Sequence, residues 1–228
     1  MSKTFSVIVA DPAWAFKDKL QQSDVKRGSA DNYPTMTIYD IQQLPVKDLI
    51  DPNGSILALW VPSSLLQDGL DIMKSWSFNQ KQSYIWVKTK KDLMSPFKDI
   101  YKHFKRAKSW SWTVNGLLVK KCLDENSTYN PLSFGMGRLF RQTHEICLIG
   151  TSNNKIYKTL ANKSQRSVSF APNLKHSAKP EHLQDSLEIM FPAANKIELF
   201  ARRSRPGWIC LGNEIDGLDI RDAINQLK

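Results

Sequence analysis

This chain of 228 residues lacks most of the patterns that announce a particular chemistry, and each absence narrows its function. Its three cysteines, Cys122, Cys147 and Cys210, are odd in number and isolated, and two lie in apolar surroundings. They read as reduced core thiols rather than a disulfide framework, which fits a reducing cytoplasm. The four histidines, His103, His144, His176 and His182, are scattered and form no Cys-x-x-Cys or His-Glu-x-x-His arrangement, so metal catalysis is not expected. No Gly-x-Ser-x-Gly elbow occurs, and Gly135-Met136-Gly137 lacks the later glycines and lysine of a dinucleotide or phosphate loop; it reads as a bend. No apolar stretch approaches the length of a membrane span. The first apolar run goes straight into Asp11 and lacks the shape of a secretory signal, so neither membrane nor export is expected. There is no repeat, low-complexity tract or convincing linker, and a hydrophobic content of 41% excludes wholesale disorder. One sizeable α/β domain over residues 1–228 is expected.

What the chain does have is charge, unevenly spread. Of a net +10, the segment Lys88 to Lys121 carries +8, from nine lysines and one arginine against two aspartates. Its bases, Lys102, Lys105, Arg106 and Lys108 among them, alternate with Phe97, Tyr101, Phe104, Trp110 and Trp112. Cations neutralise phosphates while flat side chains stack on bases, a combination suited to nucleic acid. A solvated amphipathic helix packing its aromatics on its own domain is the alternative.

Six apolar runs read as strands: Phe5 to Ala10, Ser55 to Val61, Ser83 to Val87, Glu145 to Gly150, Lys196 to Ala201 and Trp208 to Leu211. Leu66, Leu70 and Met73 recur at helical spacing, as do Leu183, Leu187 and Met190 behind Pro180 in a first helical turn; Ile220, Ala223, Ile224 and Leu227 mark a closing helix. Asp51-Pro52-Asn53-Gly54 has the residues of a tight turn. Strand and helix alternate, which predicts a mostly parallel, doubly wound sheet. The stretch from about 90 to 133 interrupts that rhythm as a long, basic, aromatic-rich insertion.

The most informative residues are Asp11-Pro12-Ala13-Trp14, directly after the first apolar run. A buried parallel strand ending in an acid places that acid at the sheet edge where reactive groups of α/β proteins gather. An acceptor, a fixed backbone direction and a flat apolar surface suit a planar amine-bearing ring. An Asp-Pro turn with a core tryptophan is the plainer alternative.

Three distant stretches carry a specific resemblance: Asp11 to Trp14, Tyr33-Pro34-Thr35-Met36, and the late run in which His176 to Pro180, Glu198-Leu199-Phe200-Ala201-Arg202, Pro206-Gly207-Trp208 and Gly212-Asn213-Glu214 follow in order. Over nearly its whole length the chain resembles the adenine methyltransferase family named for the seventy-kilodalton subunit of the messenger-RNA adenosine methyltransferase, and its bacterial and phage members in particular. The resemblance implies a Rossmann-like, S-adenosylmethionine-dependent methyltransferase sheet whose catalytic strand comes first and whose cofactor strand comes late. That order accounts for the missing early glycine-rich turn. By the same resemblance Lys179, Arg202, Asn213 and Glu214 hold the cofactor's carboxylate and ribose, Glu198 and Phe200 belong to the cofactor strand, and Asp11 lies near the cofactor's amino group. Tyr33 and Glu145 are implied near the target base, with Arg141 and Lys88 among the substrate contacts. The plainer alternatives are an Arg202–Glu214 surface ion pair, an Arg141–Glu145 pair beside a structural His144, and a merely solvated Lys88. For Trp208, core packing is the better account.

The implied reaction transfers a methyl group to the exocyclic 6-amino group of adenine, in DNA rather than RNA. Asp11 and the Pro12 carbonyl accept the amine hydrogens, and Trp14 stacks on the ring. Ala13 stands where family members carry a second proline, which loosens the loop by about 0.4–1 kcal/mol without removing its carbonyl. A non-catalytic nucleic-acid-binding subunit and the same activity on RNA are the alternatives, and whether a second copy or a partner subunit takes part is open.

Overall fold

The computed structural model describes residues 3–15, 35–91, 131–133, 135, 139–173 and 178–227. Tyr33, Lys102, Lys105, Arg106, Lys108 and Cys122, with most of the expected insertion, lie outside the described residues. Seven strands form one sheet in the order β5-β3-β4-β2-β1-β6-β7. They are β1 (Val7–Ala10), β2 (Ile56–Val61), β3 (Asn79–Thr89), β4 (His144–Thr151), β5 (Val168–Pro172), β6 (Lys196–Leu199) and β7 (Trp208–Leu211). By contacts the chain divides into two compact units: Met1–Ile85, Ile146–Ser167 and Glu181–Lys228 make the first, and Trp86–Glu145 with Val168–Pro180 make the second.

In the first unit the parallel core expected of the apolar runs is present. Strand β1 lies between β2 and β6, parallel to both, and β6 pairs parallel with β7. Every side chain of β1 and β2 is buried. Residues buried on both faces of a strand favour parallel sheets, and each fully buried Val, Leu or Ile contributes about 1.5–3 kcal/mol. The β2–β4 pair departs from the parallel pattern: β4 runs antiparallel to β2, with Val61 opposite Ile146 and Ile56 opposite Thr151. The fold is thus α/β with a mostly parallel but mixed sheet. Strand β1 is entered through Phe5, whose carbonyl accepts the buried Ser55 hydroxyl at 2.6 Å. The predicted turn is closed by Gly54 N–H to the Asp51 carbonyl at 2.8 Å, with Gly54 at φ +104°, a conformation glycine adopts without cost.

The α-helices among the described residues are α1 (Ile38–Gln42), α2 (Leu66–Ser75), α3 (His182–Met190), α4 (Asn213–Asp216) and α5 (Ile220–Asn225). Helix α2 forms where Leu66, Leu70 and Met73 predict one, yet its buried face is Gly69, Ile72 and Met73, while Leu66 and Leu70 are exposed. The reason is close packing: a Cβ on Gly69 would stand 2.7 Å from Val61 Cγ2, so the helix approaches the sheet through its glycine. Helix α3 buries Leu183 and Leu187 as predicted, with Pro180 one residue before the Glu181 cap rather than inside the first turn. Helix α5 buries Ile220, Ala223 and Ile224.

In the second unit β3 continues past Val87 to Thr89, and Trp86 donates its indole N–H to the Ala171 carbonyl of β5 at 2.9 Å. Strand β5 had no strong sequence signal, because its Val168 and Phe170 are exposed and its alternation spans only five residues.

Among the described glycines of the first unit, Gly212 is the least replaceable, since a Cβ there would lie 2.2 Å from the Ala201 carbonyl oxygen and 2.8 Å from its nitrogen. Both are backbone atoms that cannot step aside. Gly212→Ala is expected to cost about 1–3 kcal/mol, read as a melting temperature lower by several degrees; an unchanged melting curve would show that β6 and β7 separate freely.

Candidate active site

Strand register builds the site. Ala10 pairs with Leu199 and Leu199 with Leu211, so β1, β6 and β7 end at one level. The residues that follow, Asp11, Phe200 and Gly212, therefore leave the sheet along the same carboxyl edge, where ligands of α/β folds bind. Phe200 sits at φ +63°, an unusual conformation for a bulky side chain, and packs against the core. Backbone strain of this kind costs about 1–3 kcal/mol and gathers at functional sites.

The Asp11-to-Trp14 loop is held from three sides. Asp11 N–H donates to the Leu199 carbonyl at 3.4 Å, and Trp14 N–H donates to the Pro12 carbonyl at 2.9 Å. Met36 N–H donates to the Ala13 carbonyl at 2.8 Å and Ala15 N–H to the Met36 carbonyl at 3.2 Å, so Met36, the last residue of the second family stretch, bridges in parallel to Trp14. Trp14 itself is 5% exposed and donates its indole N–H to the Trp60 carbonyl at 3.1 Å. Its ring belongs to the core. It anchors the loop to β2, and the stacking face expected of it is corrected to that role.

Beyond the loop, Glu198 is held by Gln184, whose amide donates at 3.2 Å. Burial above all pushes the Glu198 carboxyl upward, against that hydrogen bond and with help from the negative charge of Asp11. Arg202 and Glu214 face each other at 3.6 Å, so the ion pair considered from the sequence does form; Asn213 opens α4 beside them and is exposed. Trp208 is buried and donates to Glu188 at 2.6 Å, which confirms core packing. That contact belongs to a knot which sequence reasoning missed. Arg205 binds Glu181, the cap of α3, and Asp185 and Glu188 within it, and ties the β6–β7 connection to that helix. Hydrogen bonding to Glu188 chiefly holds the Arg205 guanidinium charged far above any accessible pH. The i, i+4, i+7 spacing of the three acids was the available signal.

In the second unit the structure brings together three of the predicted residues. Glu145 lies 2.7 Å from Lys88 Nζ and 3.2 Å from Lys179 Nζ, and Lys88 also stands 5.3 Å from the centre of the Trp86 ring. Burial pushes the Glu145 carboxyl up, but the charges of Lys179 and Lys88 outweigh it and hold the group below its ordinary value. Arg141 is exposed, while Lys88 and Lys179 pair with Glu145.

The MT-A70 family model matches residues 5–111 and 103–214. The chain belongs to the MT-A70 family. Its relatives include the N(6)-adenosine-methyltransferase MT-A70-like protein of Drosophila melanogaster, 26% identical over 96% of this chain and 28% of that protein. They include also the type II methyltransferase M.MunI of Mycoplasma sp, 26% identical over 93% of this chain and 78% of that protein. A third is the human N(6)-adenine-specific methyltransferase METTL4, 28% identical over 93% of this chain and 38% of that protein. The MT-A70 chain thus spans less than a third of the Drosophila protein it matches. Two of the three MT-A70 stretches singled out from the sequence, the Asp11 loop and the late run from Glu198 to Glu214, are placed at one edge by the strand register.

Glu145 and Glu198 give opposite pH signatures. A lowered Glu145 contributes stability above the ordinary carboxyl range that is lost as pH falls through its folded value. Glu145→Gln is therefore expected to be less stable than the parent near neutrality, with the gap closing on acidification below about pH 4. A raised Glu198 costs stability once pH rises through its folded value. Glu198→Gln should melt higher than the parent near neutrality, with that gap closing as Glu198 gains its proton in mild acid. Melting temperatures measured across pH check both, and parallel curves for either variant contradict the corresponding environment.

Proposed function

We propose that this chain transfers a methyl group from S-adenosylmethionine to the exocyclic 6-amino group of adenine in nucleic acid, and that its substrate is DNA. The observation that carries this is the Asp11–Pro12 pair at the carboxyl edge of β1, level with the strand ends that carry Phe200, Arg202, Asn213 and Glu214. Support for DNA comes from coverage, since the chain matches 78% of the type II methyltransferase M.MunI but 28% of the Drosophila adenosine methyltransferase.

The side chains of the edge fit a cofactor that joins a nucleoside to an amino acid. Glu214 and Asn213 suit ribose hydroxyls, Arg202 suits an anion, and Phe200 offers a flat apolar surface beside them. Gly212 keeps the two strand ends close enough to act as one surface. Glu198, partly buried beside Asp11, supplies a further acceptor for hydroxyl or amine donors. Lys179, which pairs with Glu145 at 3.2 Å, is assigned the methionyl carboxylate on the resemblance. When bound, S-adenosylmethionine supplies an electrophilic methyl group.

The protein's part is to make a poor nucleophile competent. The lone pair of the adenine amine is delocalised into the ring. The Asp11 carboxylate and the Pro12 carbonyl each accept an amine hydrogen, which draws the nitrogen toward tetrahedral geometry and localises that pair. The Pro12 carbonyl has two lone pairs, and Trp14 N–H occupies one of them. Trp14 contributes by rigidity, fixing the direction of that carbonyl through its bond to Trp60. Lys88 and Arg141, with Lys102, Lys105, Arg106 and Lys108 of the basic stretch, are assigned to the nucleic acid, and Tyr33 and Glu145 to the target base. A non-catalytic binding subunit is the second reading; retention of Asp11 speaks for chemistry.

Incubation with methyl-labelled cofactor and separate DNA and RNA pools tests this. Label is expected in N(6)-methyladenine of DNA, and Asp11→Ala is expected to reduce it by about 10²–10³-fold, the size of loss found when one preorganised electrostatic contact is removed. Label in RNA alone would move the substrate, and label on cytosine, or none despite cofactor binding, would overturn the assignment.

A further inference from the structure

Within the first unit, Gln184 of α3 meets Glu198 of β6 in a way that costs the fold stability. Gln184 is 3% exposed and is buried together with Leu183 and Leu187 on the inner face of the helix. Its amide N–H donates to Glu198 Oε2 at 3.2 Å, while the carbonyl oxygen of the same amide is buried without a donor. An orphaned buried carbonyl destabilises a protein, and an apolar side chain of the same length would fill the place without that cost. Such a group calls for a reason outside the scaffold.

The reason lies in Glu198. Among the described residues its one hydrogen bond is the bond from Gln184, so Oε2 is fixed and the second oxygen, Oε1, has no donor and is not sealed from solvent. In register Glu198 stands between Val9 and Cys210, one residue before the level at which β1, β6 and β7 end. The charged groups that act on it are Asp11 after β1 and Glu181 at the cap of α3, both negative, and Arg203 after β6, which is itself paired with Glu181. Burial pushes the thiol of Cys210 up, so it stays neutral beside them. A carboxylate in such surroundings is a strong acceptor for a neutral donor, which it bonds without needing a counter-charge. The amino group of the cofactor is assigned to Asp11, which leaves the ribose hydroxyls for Glu198.

We propose that Gln184 is a positioning residue of the cofactor site, holding one oxygen of Glu198 so that the other accepts a ribose hydroxyl of S-adenosylmethionine. The proposal rests on the methyltransferase reading above.

Calorimetric binding of S-adenosylhomocysteine, which carries the same ribose, and of its analogue lacking both ribose hydroxyls tests it. The parent is expected to bind the first ~10–100-fold more tightly than the second, as hydrogen bonds to a charged group allow. Gln184→Met is expected to weaken the first by ~5–30-fold and the second by less than ~2-fold, because only the hydroxyl contact is misplaced. Equal losses on both compounds, or none on either, overturn the role, and so does a parent that binds the two alike. A parent that binds neither removes the methyltransferase reading and the inference with it. Thermal melting without cofactor is the second measurement. Gln184→Met/Glu198→Met replaces both partners with apolar side chains of similar length and is expected to melt at or above the parent. A clearly lower melting temperature makes the pair part of the scaffold and overturns the proposal.

Discussion

The site depends on one constraint, the in-register parallel pairing of β1, β6 and β7. Because Ala10, Leu199 and Leu211 share a level, the three chains that leave the sheet there emerge side by side, although about 190 residues separate the first from the second and a dozen more the third. A slip of one residue would exchange the buried and outward faces of a strand. Complete burial of β1 and near-complete burial of its neighbours forbid that slip. The left-handed Phe200 and the side-chain-free Gly212 are consequences of the same pairing. The chain must turn at once after β6, and the start of that turn and the end of β7 meet backbone to backbone.

Electrostatics divides the carboxylates by environment rather than by residue type. Glu198 is buried beside the negative Asp11, with an amide for company, and holds its proton more tightly than usual. Glu145 is also largely buried, yet two ammonium groups keep it ionised. The acids on α3 serve a third purpose, holding Arg205 and with it the β6–β7 connection. Groups of one chemical kind thus take separate duties in the site, in a charged cluster and in the scaffold, as expected when burial and neighbouring charge set proton affinity.

Some elements were legible from the chain and others were not, for reasons that particular residues make plain. Strand β7 runs over the four residues its apolar run marks, because nothing polar blurs its ends. Strand β3 begins four residues before its apolar run, since Asn79 to Gln82 are exposed and only the backbone shows that they are strand. Strand β5 escaped because hydropathy reports burial, and this strand leaves Val168 and Phe170 in water. The buried face of α2 was misjudged by counting leucines when a glycine makes the closest approach.

The order of residues along the chain determined by itself that a buried strand ends in Asp11-Pro12, that the segment Lys88 to Lys121 is strongly basic, and that the chain carries the family's ordered stretches, because these are matters of local composition and spacing. Only the tertiary structure decided that Trp14 is an anchor rather than a platform, that Glu145 pairs with Lys88 and Lys179, that Arg205 gathers three acids, and that a buried Gln184 meets Glu198. Burial and ion pairing are properties of neighbours brought together by folding. A residue's own type states what it is able to bond, and the fold alone states what lies within reach.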